Sequence, residues 1–586
     1  MTNAIYKYGI KELKTCVDLS DIAFLLEVEP KFLSKQIYKT SDEIKYYSFE
    51  IPKKDGSKRA IYAPNKNLKF IQSRLSRLLY QCYFDLHGEP KFPARSISHG
   101  FQKGRGLSIY TNAIRHTGRK YVFNADIEDF FPTFNFGRVR GYFIKNKHFE
   151  LNETAATVIA QIGCFQNMLP QGAPSSPIIS EFITQHLDYR LQALAKKHRC
   201  TYSRYADDIT FSTNLTEFPA QIGVLSTDQE AWTAGAGFEK AISSCGFKLN
   251  VKKIRMQQGY QRQATTNLTV NRKVNIGSHY YKGVRLCAHA MMTKGKATAP
   301  GKVSTPPGDE LNSHRIWGML CHIHDIKGRG LPHRALRNYS PTHPAPHYLR
   351  LMRDFFHYHR IHTSPKPLVI CEGKTDYIYL KEAIRWNMAD ERVGKLLVKA
   401  DQLPHLKKSS KGDHWLVDFV NHSDMAGDLL GLAGGGGDLP KFADYHLDRI
   451  GKLHADAPPG PVIIIVDNDS QSEGMWTFIK KATGSTTKVD GSKPYYHVGK
   501  NLYVVPIPSG GAKDFYIEKL FPDNWLKEKL AGKSFKIIQK KGEKLGPNDY
   551  GKGDFATKII KANRGKVDCS NFLPLLHTLC DVIQGK

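Results

Sequence analysis

The sequence predicts a multidomain protein of α/β and α+β class, and three features carry that prediction. Its 586 residues exceed severalfold what one hydrophobic core usually organises, so roughly two to four domains are expected. Helical and strand periodicities alternate along the first part of the chain. Much later, Val462–Val466 is an unbroken β-branched run, the mark of a parallel strand buried on both faces.

Taken in order, residues 22–26 and 32–37 carry helical apolar spacing, and residues 46–51 and 59–63 read as two strands around a Lys-Asp-Gly-Ser turn at 54–57. A helix resumes over 68–79. The stretch 291–310, MMTKGKATAPGKVSTPPGDE, is rich in Gly, Pro, Ser, Thr and Lys and reads as an exposed loop. Helical patterns studded with His and basic residues follow at 315–326 and 348–359 and suggest a small helical subdomain. The segment HTSPKP, with Pro365 and Pro367, precedes an apolar strand at Leu368–Cys371 and is the best single domain boundary. The expected domains are therefore 1–290, 291–365 and 366–586.

Composition narrows the function classes. With 41% apolar and 11% aromatic residues the chain can bury sizeable cores, which excludes disordered and collagen-like readings. Lys and Arg number 85 against 55 Asp and Glu, a net charge of +30 that points to a polyanion. Residues 366–586 hold 33 basic and 27 acidic side chains, so +24 of that charge belongs to residues 1–365. Nucleic acid is the first candidate partner. No apolar run approaches the roughly 20 residues a membrane span needs. The N-terminal MTNAIYKYGIKELK lacks the apolar core of a secretory signal, and the ten cysteines form no C-x-x-C pair, so a cytoplasmic, reduced protein is expected.

Two constellations carry chemistry. In KYVFNADIEDFFPTF, a β-rich run ends at Asp126; in CTYSRYADDITFS, two strand-like arms flank Ala206-Asp207-Asp208 and set two carboxylates on a hairpin tip. Adjacent like charges repel unless a cation offsets them, and hard oxygen ligands suit Mg2+. The tetrapeptide alone leaves a solvated turn and a metal site as alternatives.

The ordered set resembles the reverse transcriptase family. Tyr205-Ala206-Asp207-Asp208 is similar to its Tyr-x-Asp-Asp box and Asp126 to the first metal-binding Asp of the palm. Leu169-Pro170-Gln171-Gly172-Ala173-Pro174-Ser175-Ser176-Pro177 resembles the box beside nucleotide and template, where Gln171 would contact the nucleotide, and residues 250–253 resemble the later Asn-x-x-Lys box. The resemblance implies a right-hand polymerase of fingers, palm and thumb. Two Mg2+ ions would be shared by Asp126, Asp207 and Asp208. It also implies that Lys58 and Arg59 grip the triphosphate, with solvated surface charges as the alternative. Phe131 would exclude a 2′-hydroxyl, or else serve as core. Lys253 would protonate pyrophosphate, contact a phosphate, or be plain surface.

Asn112-Ala113-Ile114-Arg115-His116 further resembles the Asn-Ala-x-x-His signature of bacterial retron reverse transcriptases. That subfamily implies a cognate structured noncoding RNA as partner, deoxynucleoside triphosphates as substrates, priming from a 2′-hydroxyl, and a branched RNA-DNA product, msDNA. Where many retron enzymes carry Val-Thr-Gly, this chain reads Thr265-Thr266-Asn267. Nine of 24 histidines fall between His314 and His362, but their spacing fits no regular zinc pattern; a thumb helix facing a duplex is the competing reading.

In the second constellation, LVICEGKTDYIYL sets Glu372 and Gly373 at a strand end with Asp376 just beyond, and Val462–Val466 runs into Asp467-Asn468-Asp469. Ligands of parallel sheets collect at such carboxyl ends. The order resembles the TOPRIM domain, a Rossmann-like α/β fold of topoisomerases, primases and overcoming-lysogenization-defect-type nucleases. It implies that Asp467 and Asp469 hold one or two Mg2+ ions, and that Glu372 acts as acid/base or further ligand. Asp376 and Glu518 are weaker candidates; KDFYIEKLF around Glu518 equally fits an amphipathic helix. Gly434 to Gly437 reads as a turn, and the Lys-rich stretch 533–552 as a solvated surface or a nucleic-acid contact. The whole chain thus reads as a retron reverse transcriptase whose TOPRIM part is a nuclease effector in antiphage defence. The alternatives are that this part is a binding module, or that the polymerase mainly restrains the nuclease. The oligomeric state is not legible.

Overall fold

In the computed structural model the chain divides into two compact units, residues 1–277 and 278–586. The structure describes residues 6–52, 56, 58–88, 95–226, 231–299, 310–329, 344–398, 414–422, 425–432, 437–454, 459–512, 514–538 and 544–585. Lys54, Asp55 and Ser57 of the hairpin turn, most of the Gly- and Pro-rich loop, His333, His343, Gly434 to Gly436 and residues 539–543 lie outside them.

In the first unit, strands β1 (Tyr46–Pro52) and β2 (Lys58–Pro64) pair antiparallel, with Tyr46 opposite Pro64. The helix Lys66–His87 follows; the Asn65 side chain caps it by accepting the Leu68 amide at 2.8 Å, and its helical stripe Leu68, Ile71, Leu75 and Leu79 is buried. A four-stranded antiparallel sheet carries the chemistry. Its order is β4 (Thr201–Tyr205), β5 (Asp208–Thr213), β3 (Tyr121–Asp126), β6 (Arg255–Gln258). Phe123 of β3 and Phe211 of β5 meet Phe238 with ring centroids 6.3 and 5.3 Å away, anchoring the sheet to the core.

The second unit begins with the helix Ser278–Lys294. Residues 291–294 therefore end a helix, which corrects the expected loop: Val284, Cys287, Ala288, Met291 and Met292 form an apolar stripe that burial rewards over the local turn signals. Helices Ser313–Gly328 and His347–His357 follow. The boundary at Pro365 separates two parts of one unit. Asp354 accepts the Tyr445 hydroxyl at 2.8 Å and pairs with Arg449 at 3.2 Å, while His357 Nε2 meets His446 Nδ1 at 2.8 Å. Ile361 also shares a core with Leu368, Phe442 and Ile464.

The unit's five-stranded sheet runs β8 (Asp418–Phe419), β7 (Leu368–Cys371), β9 (Val462–Val466), β11 (Leu502–Pro506), β10 (Tyr496–Gly499). The first four strands are parallel and the last is antiparallel to its neighbour. Ile463 and Ile465 enter one core, and Val462, Ile464 and Val466 the other. That two-sided burial is why the run is continuous rather than alternating. Among the described residues no helix is long and apolar enough to cross a membrane.

Candidate active sites

Strand register builds the first carboxylate cluster. Asp126, the last residue of β3, lies opposite Asp208, the first of β5, and the two-residue turn Ala206-Asp207 joins β4 to β5 with Tyr205 opposite Asp208. Ala206 takes a left-handed φ of 55°, as such turns require. Gly100 lies against this turn; a Cβ there would stand 2.5 Å from the Ala206 nitrogen. The Ile127 amide donates to the Asp207 carbonyl at 3.1 Å and the Asn250 amide to the Asp126 carbonyl at 2.8 Å, which brings the Asn250 to Lys253 box against the acids. Lys253 Nζ then reaches Asp126 Oδ1 at 2.8 Å.

Crowding by protein, then the Asp207 and Asp126 charges, push the Asp208 carboxyl up to about 7 although its surface stays open to solvent. Burial and Asp126 raise Asp207, while Lys253 and Arg59 act against the shift. Lys58 and Arg59 lie on opposite faces of β2: Lys58 pairs with Glu50 at 2.7 Å, and it is Arg59 whose charge reaches Asp207. The Tyr62 amide donates to the Gln171 carbonyl at 2.9 Å, and Gly172, at φ 121°, would place a Cβ 2.8 Å from the Tyr62 carbonyl. The Gln171 box and β2 are thus held together by backbone. Phe131 is half-buried, its ring 5.9 Å from Phe101.

Sequence reasoning missed what braces this hairpin. Arg204 is fully buried and pairs with Asp188 at 2.7 Å and Glu181 at 3.0 Å, while its Nη1 donates to the Ala206 carbonyl at 3.1 Å. The signal was available, since Glu181 and Asp188 stand seven apart on the helix Ser176–Lys197 and so share a face, but two acids on a long helix read equally well as solvated. The Asn-Ala-x-x-His residues are a second brace: His116 spans Ser212 and Ser203, each at 2.7 Å, and Ser203 donates to Asn112 at 2.6 Å. Thr266 and Asn267 form the turn of a short hairpin with φ of 48° and 63°. Asn tolerates that conformation best after Gly, so the departure from Val-Thr-Gly preserves the turn.

The second cluster stands at the carboxyl ends of parallel strands. Glu372 follows β7 and Asp467 follows β9; Glu372 Oε2 accepts the Asp467 amide at 3.1 Å and the Ser472 hydroxyl at 3.3 Å. Ser472 Oγ also lies 3.3 Å from Asp469 Oδ1, and Asp467 Oδ1 accepts the Ile517 amide at 3.0 Å. Asp376 accepts the Gly373 amide at 2.7 Å; a Cβ on Gly373 would collide with that carboxylate at 2.4 Å. Burial, then Asp376 and Glu372, push Asp467 up to about 9. Burial and then Glu518 push Asp376 up to about 7, and burial raises Glu372.

Glu518 belongs here. It lies in a short 3-10 helix, Ile517–Leu520, and it is fully buried with Lys552 Nζ 3.0 Å away. Lys552, in the stretch read as a solvated surface or a nucleic-acid contact, lines a cavity of about 770 Å³ with Glu372, Asp467 and Asp469. Burial opposes its charge, but Glu518, Asp467 and Asp376 outweigh that and raise its pKa.

Among the described residues no three His, Cys, Asp or Glu side chains are arranged to hold one metal ion, the described histidines between His314 and His362 included. The donor sets at both clusters are hard carboxylate oxygens, the class that Mg2+ prefers, and in each a lysine ammonium stands among the acids.

A family model described as reverse transcriptase (RNA-dependent DNA polymerase) matches residues 51–271, which contain the whole first cluster. The chain is 29% identical over 300 residues to the retron Mx65 reverse transcriptase of Myxococcus xanthus, covering 48% of this chain and 64% of that protein. It is 30% identical over 273 residues to the retron Ec86 reverse transcriptase of Escherichia coli, covering 46% and 77%. It is 33% identical over 327 residues to the retron Mx162 reverse transcriptase of Myxococcus xanthus, covering 51% and 62%. The chain thus spans just under two thirds of the two Myxococcus relatives.

Proposed function

From the premise that the chain belongs to the retron reverse transcriptase family, we propose that its first unit copies a cognate structured noncoding RNA into DNA, primed from a 2′-hydroxyl and yielding branched msDNA. The observation that carries this reading is the register pairing of Asp126 with Asp208 beside the Asp207 turn, which gathers three carboxylates at one end of the sheet. Asp126, Asp207 and Asp208 would hold two Mg2+ ions, which supply activation of the primer hydroxyl and neutralisation of the triphosphate. The chain's own residues do the rest. Arg59 lies on the face of β2 from which its charge acts on Asp207, suiting it to a triphosphate. Gln171 and Gly172 fix that strand against the palm, Phe131 excludes a 2′-hydroxyl, and Lys253 is positioned to give a proton to the leaving pyrophosphate. Lys58 contributes through Glu50 to the hairpin. The test is deoxynucleotide incorporation on co-purified RNA: it should vanish in Asp207→Asn with Asp208→Asn, and its survival would sink the assignment.

For the second unit we propose a TOPRIM-type, Mg2+-dependent nuclease that acts as effector in antiphage defence. Support comes from Glu372 and Asp467 on adjacent parallel strands, joined at 3.1 Å, with Asp469 beside Ser472. Asp467 and Asp469 would hold one or two ions, and Glu372, its carboxyl raised by burial, would carry a proton. Nicking of DNA or RNA by the unaltered protein, lost in Glu372→Gln, is the expected result. Absence of nicking even after removal of the RNA-DNA product would favour a binding module.

A further inference from the structure

Asn468, between the two aspartates, faces away from the reaction cavity and holds a second one open. Its backbone bonds Phe515 in both directions, at 2.8 and 3.0 Å, and its side-chain amide donates to the Gly491 carbonyl at 3.3 Å and to Ser509 Oγ at 3.4 Å. Gly491 has φ 77°, and a Cβ there would stand 2.8 Å from Asn468 Oδ1 and 3.0 Å from the Trp476 ring. The loop around Gly491 therefore closes on Asn468 and Trp476 only because it carries glycine. These contacts wall a cavity of about 1010 Å³, and it shares Asp469, Ser470 and Asp514 with the 770 Å³ cavity that contains Glu372 and Lys552. The carboxylate cluster opens on two sides.

The walls of the larger cavity carry both signs of charge, Asp469, Glu473, Asp490 and Asp514 beside Lys480, Lys488 and Lys493. Glu473, Trp476, Thr477 and Lys480 lie on one face of the helix Glu473–Thr483 and all line it. The acids Asp469 and Glu473 begin at the rim shared with the cluster, and Lys480 lies two turns, about 10 Å, further on. Lys488 and Lys493 line it from the Gly491 loop, where Lys488 pairs with Asp490 at 3.3 Å, an ion pair that an incoming phosphate would replace. A volume at the upper end of the roughly 300–1,000 Å³ typical of small-ligand pockets suits an extended ligand. A strand cut at the cluster has to leave the scissile phosphate in two directions, and away from bound cations its phosphates need basic side chains.

We propose that this cavity seats a segment of single-stranded nucleic acid continuous with the phosphodiester held at Glu372, Asp467 and Asp469. Lys480, Lys488 and Lys493 meet its phosphates, and the Trp476 wall meets a sugar or base. The inference rests on the nuclease reading of the cluster and deepens it. Asn468 is a positioning residue that ties the seat to the flanking aspartates.

The test is residue-resolved acylation of lysines in the full-length protein, read by mass spectrometry, in EDTA at low salt. The probes are an oligothymidylate and an oligouridylate of about a dozen nucleotides. Lys480, Lys488 and Lys493 should be protected severalfold, in the unaltered protein and in Glu372→Gln alike, while the exposed Lys441 and Lys527 on the same unit should not. Lys480→Glu with Lys488→Glu should raise the concentration that protects Lys493 about tenfold. Protection by one probe alone identifies the strand as DNA or RNA. If the three lysines are protected but no strand is cut in Mg2+, the nuclease reading falls and the seat stands. If they acylate at the same rate with and without either probe, the seat is overturned whatever the cutting assay gives.

Discussion

The two carboxylate clusters gather the same kinds of side chain from opposite sheet designs. In the first unit the acids are near neighbours by register: antiparallel pairing sets Asp126 against Asp208, and a tight turn adds Asp207. In the second, Glu372 and Asp467 come from parallel strands 95 residues apart in sequence, and Asp376 and Glu518 join from the connections that follow. Each cluster contains one lysine: Lys253 arrives on the segment that bonds Asp126 backbone to backbone, and Lys552 reaches Glu518 through its side chain. The antiparallel site is aligned by strand register and leaves Asp208 exposed; the parallel site gathers its acids from strand ends and the connections after them. The acids differ too, since Asp467 is pushed up to about 9 where Asp208 reaches about 7.

The largest expected effect tests whether the clusters work independently. Asp207→Asn should lower incorporation by roughly three orders of magnitude while leaving nicking unchanged, and Glu372→Gln should do the reverse. Paired incorporation and nicking assays on the same preparations read both. Loss of both activities in either variant would break the picture of two separate sites.

That difference in assembly also decides what was legible in the sequence. Asp126, Asp207 and Asp208 sit in short recognisable strings at the ends of strand-like runs, and Glu372 and Asp467 were legible because an apolar strand runs directly into each. Glu518 and Lys552 were not, since burial and pairing between remote segments leave no local pattern. Arg204 was hidden for a related reason: within Ser203-Arg204-Tyr205 it alternates like any strand residue, and only the fold turns it inward onto Asp188 and Glu181. Secondary structure followed periodicity closely except at 291–294, where a buried methionine pair extends a helix into a stretch rich in loop residues. The helical patterns before Pro365 were legible as helices, but their packing on the helix Leu439–Ile450 through Asp354 and His357 was not.

Next in size is the hidden brace. Arg204→Met leaves two buried carboxylates without their cation, so the first unit should lose about 3–5 kcal/mol of stability, measured by denaturant unfolding. Replacing Glu181 and Asp188 as well, by Gln and Asn, should recover part of the loss. A loss below about 1 kcal/mol would mean that the hairpin does not depend on this network.

The depth of the second cluster predicts a pH effect of intermediate size. An unfolded Asp titrates near 4, whereas Asp467 does so at about 9 and Asp376 at about 7 in the fold. Protonation therefore favours the folded unit: that contribution is complete below about pH 4 and is lost as pH rises toward 9. In EDTA the melting temperature of the second unit should fall between pH 5 and pH 9 (about the span of those shifts), Asp467→Asn should flatten the fall, and Mg2+ should oppose it by binding the ionised acids. A slope unchanged by Asp467→Asn would show that these acids do not govern it.

The smallest effect concerns the Thr265-Thr266-Asn267 triplet, where the first unit departs from the Val-Thr-Gly of many retron enzymes. Thr266 and Asn267 both sit at left-handed φ, 48° and 63°, in the turn between Ala264–Thr265 and Leu268–Thr269. An L residue there costs about 1–2 kcal/mol, Asn the least of them, and glycine nearly nothing. Asn267→Gly should thus stabilise the first unit by roughly 0.5 kcal/mol, a rise of about 1–2 °C in melting temperature. Thr266 is different, because its hydroxyl donates to the Ile109 carbonyl at 3.3 Å, so Thr266→Gly removes strain and a hydrogen bond together and should come out near neutral. Incorporation on the co-purified RNA should be unchanged in Asn267→Gly if the position serves only the turn. A changed RNA affinity with the stability gain intact would assign the side chain itself to the RNA, and would make this turn a recognition element.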